Sequence, residues 1–597
     1  MSKSRIVQRD LRWPMLAAFL LAVVALLYSP IAGFPFLQLD DNPRLLQQDL
    51  AQLGPSWAFT NPFVWQPVTW LSHQLDFRLF GFQNAGAHHL VSLLLHLVNT
   101  GLFCRFLSKL TGQNAPSVIA AALFSLHPLR VESVAWVSGR GDLLATLFVL
   151  LALEAHRRNS RWAAIPLGAL AMLASPAAAP LGLLLLLLDR WVLERKIDWR
   201  ESGTLLALGA AALAMRALGG PDHDSLLPSV PTWPLTQALG KLDGQVWATL
   251  WPMNLCIARV PAINLVATAF GVAIAAILTA IISAARLPLL KFGAAWFVIL
   301  ILPSLILPTV WGRADHTVYL PHLGLMAAAV FAVPPAWRSS AGKLVVIPLL
   351  AFAALSWAHL HHFQATIPLL QHAVEIDPTN AEARLGLGLA LAGQGSPAGA
   401  EKHLRAVTKA RPDSALAWVG YGRALTSQRR SAESIAVLDQ AVKQVPQSAD
   451  ARFERGIALQ NVNRIPEAEQ SFIEALNLGL DARTGAIAYN NLGSYAAQRK
   501  EFPKAEKYFE QAFTLDLGFA LAHRNYAMAL VAQDQRPKAI THLERKATLW
   551  TRNDRLVGEY LATLMNEVYS ERYKKEQQQA ALEQAAEKKA LDQKKNK

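Results

Sequence analysis

Apolar residues along this chain follow two patterns. Up to about residue 360 they gather into long runs, and beyond it they recur at helical spacing among charged residues. Runs such as Pro14 to Tyr28 and Ala262 to Ala285 carry no charge, and the longer ones approach the roughly 20 residues a helix needs to cross a bilayer. Assigning spans with the positive-inside rule predicts about eleven helices with the N-terminus in the cytoplasm, near 14–30, 88–108, 115–130, 141–156, 161–175, 177–191, 202–218, 261–285, 291–311, 318–335 and 343–360. Cytoplasmic loops then hold Arg157, Arg158, Arg161, Arg190, Arg195, Lys196, Arg200, Arg286, Lys291, Arg338 and Lys343, while Asp40, Asp41, Asp49, Asp76, Glu132, Asp142 and Asp315 fall on the other side. Lys3, Arg5, Arg9 and Arg12 before the first run read as an uncleaved signal anchor. Trp233 to Arg259, with Trp247, Trp251 and Pro252, reads as an interfacial or re-entrant segment, and as one more span if it crosses.

In the C-terminal part, Pro378, Pro412 and Pro446 recur every 34 residues, the period of a helix-turn-helix tetratricopeptide unit. In that frame Gly388, Gly422, Gly456 and Gly493 supply the small residue of the first helix. Ala400, Ser434, Ala468, Ala505 and Ala539 supply that of the second, and Leu404, Leu438, Phe472, Phe509 and Leu543 fill the seam one turn later. Five repeats follow a half-repeat helix from about Gln364 to Ile376. A solenoid of this kind buries its core only between neighbours and offers a concave surface to a protein partner. The expected fold is therefore all-α: a polytopic membrane domain over 1–362 with a large first outer loop at 31–87, tetratricopeptide repeats over 363–555, and a charged helix and tail over 556–597.

Composition narrows the chemistry. The formal charge of +14 lies largely in short loops between apolar runs, which makes it a topology signal and excludes nucleic acid as the reading. Cys104 and Cys256 lie in apolar sequence without a CxxC spacing and read as buried free thiols.

Chemistry-bearing residues cluster at the outer ends of the runs. Asp40 and Asp41, in FLQLDDNPRL, can hold a divalent cation, or one can act as a general base positioned by the other; the same string also reads as a turn with a helix cap. The loop continues through an aromatic stretch, WAFTNPFVWQPVTWLSH, suited to folding on the membrane surface. In HPLRVESVAWVSGRGDLLATLF, the charges Arg130, Glu132, Arg140 and Asp142 form either structural ion pairs or a grip on a lipid-linked phosphate, for which a guanidinium fork is suited. WGRADHTVYLPHLGL adds Arg313, Asp315, His316 and Tyr319 to the same side; no ligand spacing makes His316 and His322 a metal pair.

The order of LDDNP, QPVTWLSH, AGAHHLVSLLLHLVN, HPLRVESVAWVSGRGDLL and RADHTVYLPHLGL, followed by repeats, resembles the transmembrane and tetratricopeptide-repeat O-mannosyltransferases and their bacterial relatives over nearly the whole chain. The resemblance implies a C-type glycosyltransferase membrane domain. Such a domain takes a sugar from a polyprenyl-phosphate donor and places it on a Ser or Thr hydroxyl outside the cytoplasm. It also implies Asp40 or Asp41 as the catalytic carboxylate, with Arg140 or Arg313 beside the leaving phosphate. Glu132, Arg130, Asp142 and His316 complete the expected substrate-binding set. The chain departs from the bacterial pattern at Gln66, at Ala174–Ser175–Pro176 in place of a Lys-Pro, and at Asp315–His316–Thr317–Val318 in place of an Arg-Tyr.

Two functions follow. One is an O-glycosyltransferase of a bacterial inner membrane, with its repeats in the periplasm recruiting the acceptor. The other is a non-catalytic scaffold or assembly factor, in which a transferase-like domain anchors a repeat array for a partner complex. A transporter fits less well, because the charges sit at loop ends and not mid-span.

Overall fold

The computed structural model describes residues 12–37, 65–218, 234–257, 265–306, 315–546 and 555–595. All regular structure among them is helical. The chain divides into two compact units, Met1–Gln394 and Gly395–Lys597.

The first unit opens with α1 (Arg12–Tyr28) and resumes with α2 (Pro67–Phe80), α3 (Ala85–Thr111), α4 (Asn114–Ser125), the short α5 (Val131–Ala135), α6 (Arg140–Arg157), α7 (Arg161–Ala174), α8 (Leu181–Trp191) and α9 (Trp199–Leu218). It continues with α10 (Pro234–Leu250), α11 (Leu265–Ala284), α12 (Pro288–Ile306), α13 (Tyr319–Ala332), α14 (Arg338–Leu344), α15 (Val346–Leu360), α16 (Thr366–Ile376) and α17 (Ala381–Gly393). Five helices in the described residues are long and apolar enough to cross a membrane, and six if α4 and the turn through α5, bent by 63°, form one broken span. The further expected spans include the shorter apolar helices α7 and α13.

Lipid-facing sides are plain from exposure. Met15, Phe19 and Leu26 on α1, Phe270 and Ile277 on α11, and Ile347 and Leu350 on α15 all project outward. Large apolar side chains on the outside of apolar helices place the unit in hydrocarbon. Helix α10 carries Lys241 and Asp243, and Trp247, Leu250 and Trp251 are exposed at or beside its end.

Close approach in this unit depends on glycine. A Cβ on Gly293 of α12 would lie 2.4 Å from the Gly324 carbonyl oxygen of α13, so no other residue lets those two backbones touch. At one end of α6, His156 bridges Asp189 of α8 and Glu201 of α9, with both ring nitrogens 2.8 Å from a carboxylate oxygen, and Arg195 caps Asp189 at 2.6 Å. Asp142 lies fourteen residues earlier on the same helix, about 20 Å away along its axis. The polar residues of interest are therefore at the opposite end.

The second unit stacks α18 (Pro397–Ala410), α19 (Ala415–Ser427), α20 (Ser431–Gln444), α21 (Ala449–Asn461), α22 (Ile465–Leu478), α23 (Ala482–Gln498), α24 (Phe502–Leu515), α25 (Ala520–Ala532) and α26 (Arg536–Lys546), followed by α27 (Arg555–Lys595). The small-residue frame read from the sequence is the packing code. A Cβ on Gly422 would meet Leu438 at 2.6 Å, on Gly456 would meet Phe472 at 2.7 Å, and on Gly493 would meet Phe509 at 2.8 Å. Where Ser434 stands in the alanine register, its hydroxyl donates to the Gly422 carbonyl at 2.8 Å, which satisfies the buried polar group.

Candidate functional site

Helix α2 starts at Pro67, whose fixed φ suits a first helical turn, and stops at Gly81 with φ +69°. Thr69, His73 and Asp76 recur at helical spacing, and all three are buried. A buried polar stripe on a loop helix means that the helix covers something polar. Here it covers the start of α6. The Thr69 hydroxyl donates to the Ala174 carbonyl at 2.9 Å, and Gly141 packs so closely that its Cβ would lie 3.0 Å from both Ala174 O and Gln66 Oε1.

Arg140 is fully buried under this helix. Its Nη1 donates to the Asp76 carboxylate and, at 3.1 Å, to the Ser72 hydroxyl; its Nη2 donates to the His88 carbonyl at 2.7 Å, and its Nε to Ser92 Oγ at 3.4 Å. The guanidinium thus clamps α2 onto α3 and α6. His73, next to it, carries a buried Nδ1 without a hydrogen bond. Burial first, then the charges of Arg140 and His88, push its imidazole well below the ordinary histidine value, so the ring is neutral.

A second cluster lies where the bent α4–α5 segment, α6, the turn after α7 and the turn before α13 converge. The carboxylate of Glu132 is 2.5 Å from His316 Nδ1 and is itself buried, whereas the His316 side chain is 25% exposed. Trp136 stands edge-on to the imidazole with ring centres 5.9 Å apart. Asp142, in the first turn of α6, accepts the Ser175 hydroxyl at 2.7 Å and lies within the field of His316, Glu132 and Arg130. The departures at Ser175 and His316 therefore each meet a carboxylate, Asp142 and Glu132 in turn.

Arg130 backs this cluster. Fully buried, it lies 5.0 Å over the rings of both Phe124 and Tyr319 and donates to His322 Nδ1 at 2.9 Å. Because a guanidinium only donates, His322 carries its proton on Nε2, which is 2.9 Å from the Thr249 hydroxyl. His127 likewise accepts from the Leu129 amide on Nδ1 and donates from Nε2 to the Thr249 carbonyl at 3.0 Å. Tyr319 is 2.6 Å from His96 Nδ1.

The structure thus brings Glu132, His316, Asp142 and Arg130 together and sets Arg140 in an adjoining layer. Asp40, Asp41 and Arg313 lie outside the described residues, and so does the side chain of Asp315. Sequence reasoning assigned no role in the site to Asp76, Ser72, Thr249 or Ser175. The 69–73–76 spacing was the available signal for α2. No spacing could have shown the Thr249 bridge, which depends on how α10 docks.

These features define a class: a polytopic helical membrane protein with a buried acid–histidine–arginine cluster at one helix end and a tetratricopeptide solenoid after it. The tetratricopeptide-repeat family model matches residues 360–407, 385–449 and 453–516. The chain is 32% identical over 176 residues to Protein O-mannosyl-transferase Tmtc2 of Drosophila melanogaster, covering 27% of this chain and 18% of that one. It is 40% identical over 95 residues to Protein O-mannosyl-transferase TMTC2 of Mus musculus, covering 16% and 11%. The matched stretches span less than a fifth of those relatives' length. Among solved structures, YrrB, a TPR protein with an unusual peptide-binding site, aligns with 32% of this chain and 97% of its own at 16% identity and a TM-score of 0.27. Over those stretches the chain is similar to protein O-mannosyl-transferases, and its C-terminal part carries tetratricopeptide repeats.

Proposed function

We propose that the membrane unit transfers a sugar, mannose by analogy with the names of its relatives, from a polyprenyl-phosphate donor to a hydroxyl of an exported protein. The reaction belongs at the periplasmic face of a bacterial inner membrane, and the repeats recruit the acceptor. The observation that carries this reading is the Glu132–His316 pair at 2.5 Å beside Asp142, a polar centre inside an apolar helical unit. Polar side chains that a membrane protein keeps in such a place mark a substrate site.

In a single displacement, the carboxylate of Asp40 or Asp41 takes the acceptor hydroxyl's proton as its oxygen bonds to the anomeric carbon. The bond from that carbon to the phosphate oxygen breaks, and polyprenyl phosphate leaves with the electron pair. The sugar is inverted. His316, oriented by Glu132, donates a hydrogen bond to the departing phosphate, and Arg130 and Arg313 supply positive charge around it. Arg140 acts indirectly, by holding α2 over the site.

The test is mass spectrometry of exported proteins from strains carrying wild-type chain, Asp40→Asn with Asp41→Asn, or a deletion. Hexose present only with wild type supports the reading, and hexose retained in the double variant ends it. A scaffold role is the second reading. It is favoured by Ser175, whose hydroxyl stands against Asp142 where the bacterial relatives resembled place a cation. A stoichiometric partner lost on deleting residues 381 to 550, and indifferent to the aspartate substitutions, would identify that role.

A further inference from the structure

The end of α15 carries a group of side chains that the transfer chemistry does not use. His359 is in the last turn of α15, His362 in the turn His361–Gln364, and His372 on α16. Each offers one ring nitrogen, and these three nitrogens lie within 4.8 Å of one another. We propose that His359, His362 and His372 form a divalent-metal site of the zinc type, joining α15 to α16.

The donor set selects the ion. Three imidazoles suit zinc and its neighbours in the first transition row, whereas calcium and magnesium take oxygen ligands. Zinc–nitrogen bonds of about 2.0–2.1 Å in a tetrahedron put the nitrogens roughly 3.3 Å apart. The partly exposed ring of His362 can close that gap by side-chain rotation, while His372 keeps its bond to the Leu255 carbonyl. They leave the solvent side for a water as fourth ligand.

Two further observations distinguish this group from ordinary aromatic packing. His372 Nε2 is 3.0 Å from the Leu255 carbonyl. A carbonyl only accepts, so Nε2 carries the proton and the lone pair is on Nδ1. A histidine that gives its second N–H to a backbone carbonyl is oriented as metal-bound histidines are. His359 is 9% exposed, and its ring is surrounded by those of His362, His372 and Phe363. His362 stacks on His372, 3.7 Å between centres and 6° from parallel, so it is already beside its partner and turns out of the stack to aim its lone pair at the ion.

The experiment uses the full chain in detergent, carrying an affinity tag without histidines, stripped with chelator and titrated with Co2+ and then Zn2+. One equivalent of Co2+ should give the intense visible bands of a tetrahedral nitrogen site, and Zn2+ should displace them and raise the melting temperature. His362→Ala and His372→Ala should each weaken binding by at least about tenfold, while His361→Ala, the exposed neighbour outside the trio, should leave it unchanged. Absent bands and an unmoved melting temperature in the wild-type chain overturn the proposal. So does binding that persists equally in His362→Ala and His372→Ala.

Discussion

Arg140 and Asp76 are 64 residues apart in sequence, yet the guanidinium of one, fully buried, pairs with the carboxylate of the other beneath helix α2. The pair explains why a loop helix with a polar stripe stays on the membrane unit: its underside is a charge that α6 can satisfy nowhere else so well.

Removing Asp76 alone leaves that guanidinium buried beside hydroxyls and a carbonyl. Breaking a buried pair from one side costs about 3–5 kcal/mol. Asp76→Ala should therefore lower the melting temperature in detergent far more than the double change Asp76→Leu with Arg140→Met, which removes both charges. A melt of Asp76→Ala that coincides with wild type would refute the clamp.

The helices and the repeats were legible from spacing because both are local. Pro378, Pro412 and Pro446 give the period, and Gly422, Gly456 and Gly493 meet the aromatic and leucine seam the frame assigned to them. The site was legible only as a set of residues. Arg130, Glu132, Arg140 and Asp142 stood out as costly charges near the bilayer, but their partners lie on other helices: Arg140 with Asp76, Glu132 with His316, Asp142 with Ser175 and Arg130 with His322. Pairing over 184 or 192 residues is set by helix docking, which periodicity does not encode. The histidine trio was missed for the same reason, since His372 comes from the next helix.

Glu132→Gln tests the working cluster without emptying it. The amide keeps the shape and a hydrogen bond to His316, but loses the negative charge that orients and supports an imidazolium. Transfer by the purified chain should fall by up to about 10²–10³-fold, the usual cost of losing one donor to the developing negative charge, with little change in melting temperature. Undiminished transfer would remove this pair from the mechanism.

His73 gives the membrane unit a pH dependence of definite sign. Its folded value is depressed, while the unfolded ring titrates near its ordinary value of about 6.5. Above that pH neither state holds the proton and His73 has no effect. Below it the unfolded chain takes up a proton that the native site refuses, and stability falls by up to about 1.4 kcal/mol per pH unit. His73→Gln should therefore show a smaller drop in melting temperature than wild type between about pH 7.5 and 5.5. Parallel curves for the two proteins would show that His73 does not titrate across unfolding.

The repeat seam predicts a glycine that alanine cannot replace. In a helix interior, glycine to alanine gains about 1 kcal/mol, and Gly393, the last residue of α17 with nothing within 4 Å of its Cβ position, should at least tolerate the change. At Gly456 the same Cβ would sit 2.7 Å from Phe472 Cε1. The ring cannot retreat, because Phe472 is fully buried between Phe453 and Tyr495, with ring centres 5.6 and 6.5 Å away. Overpacking of this kind costs about 1–3 kcal/mol, enough to reverse the helix-propensity gain. Denaturant unfolding of the full chain, followed by the aromatic signal of the repeats, should show Gly456→Ala destabilised and the added change Phe472→Leu recovering part of the loss. Destabilisation that Phe472→Leu deepens would mean that the seam is not closed by this contact.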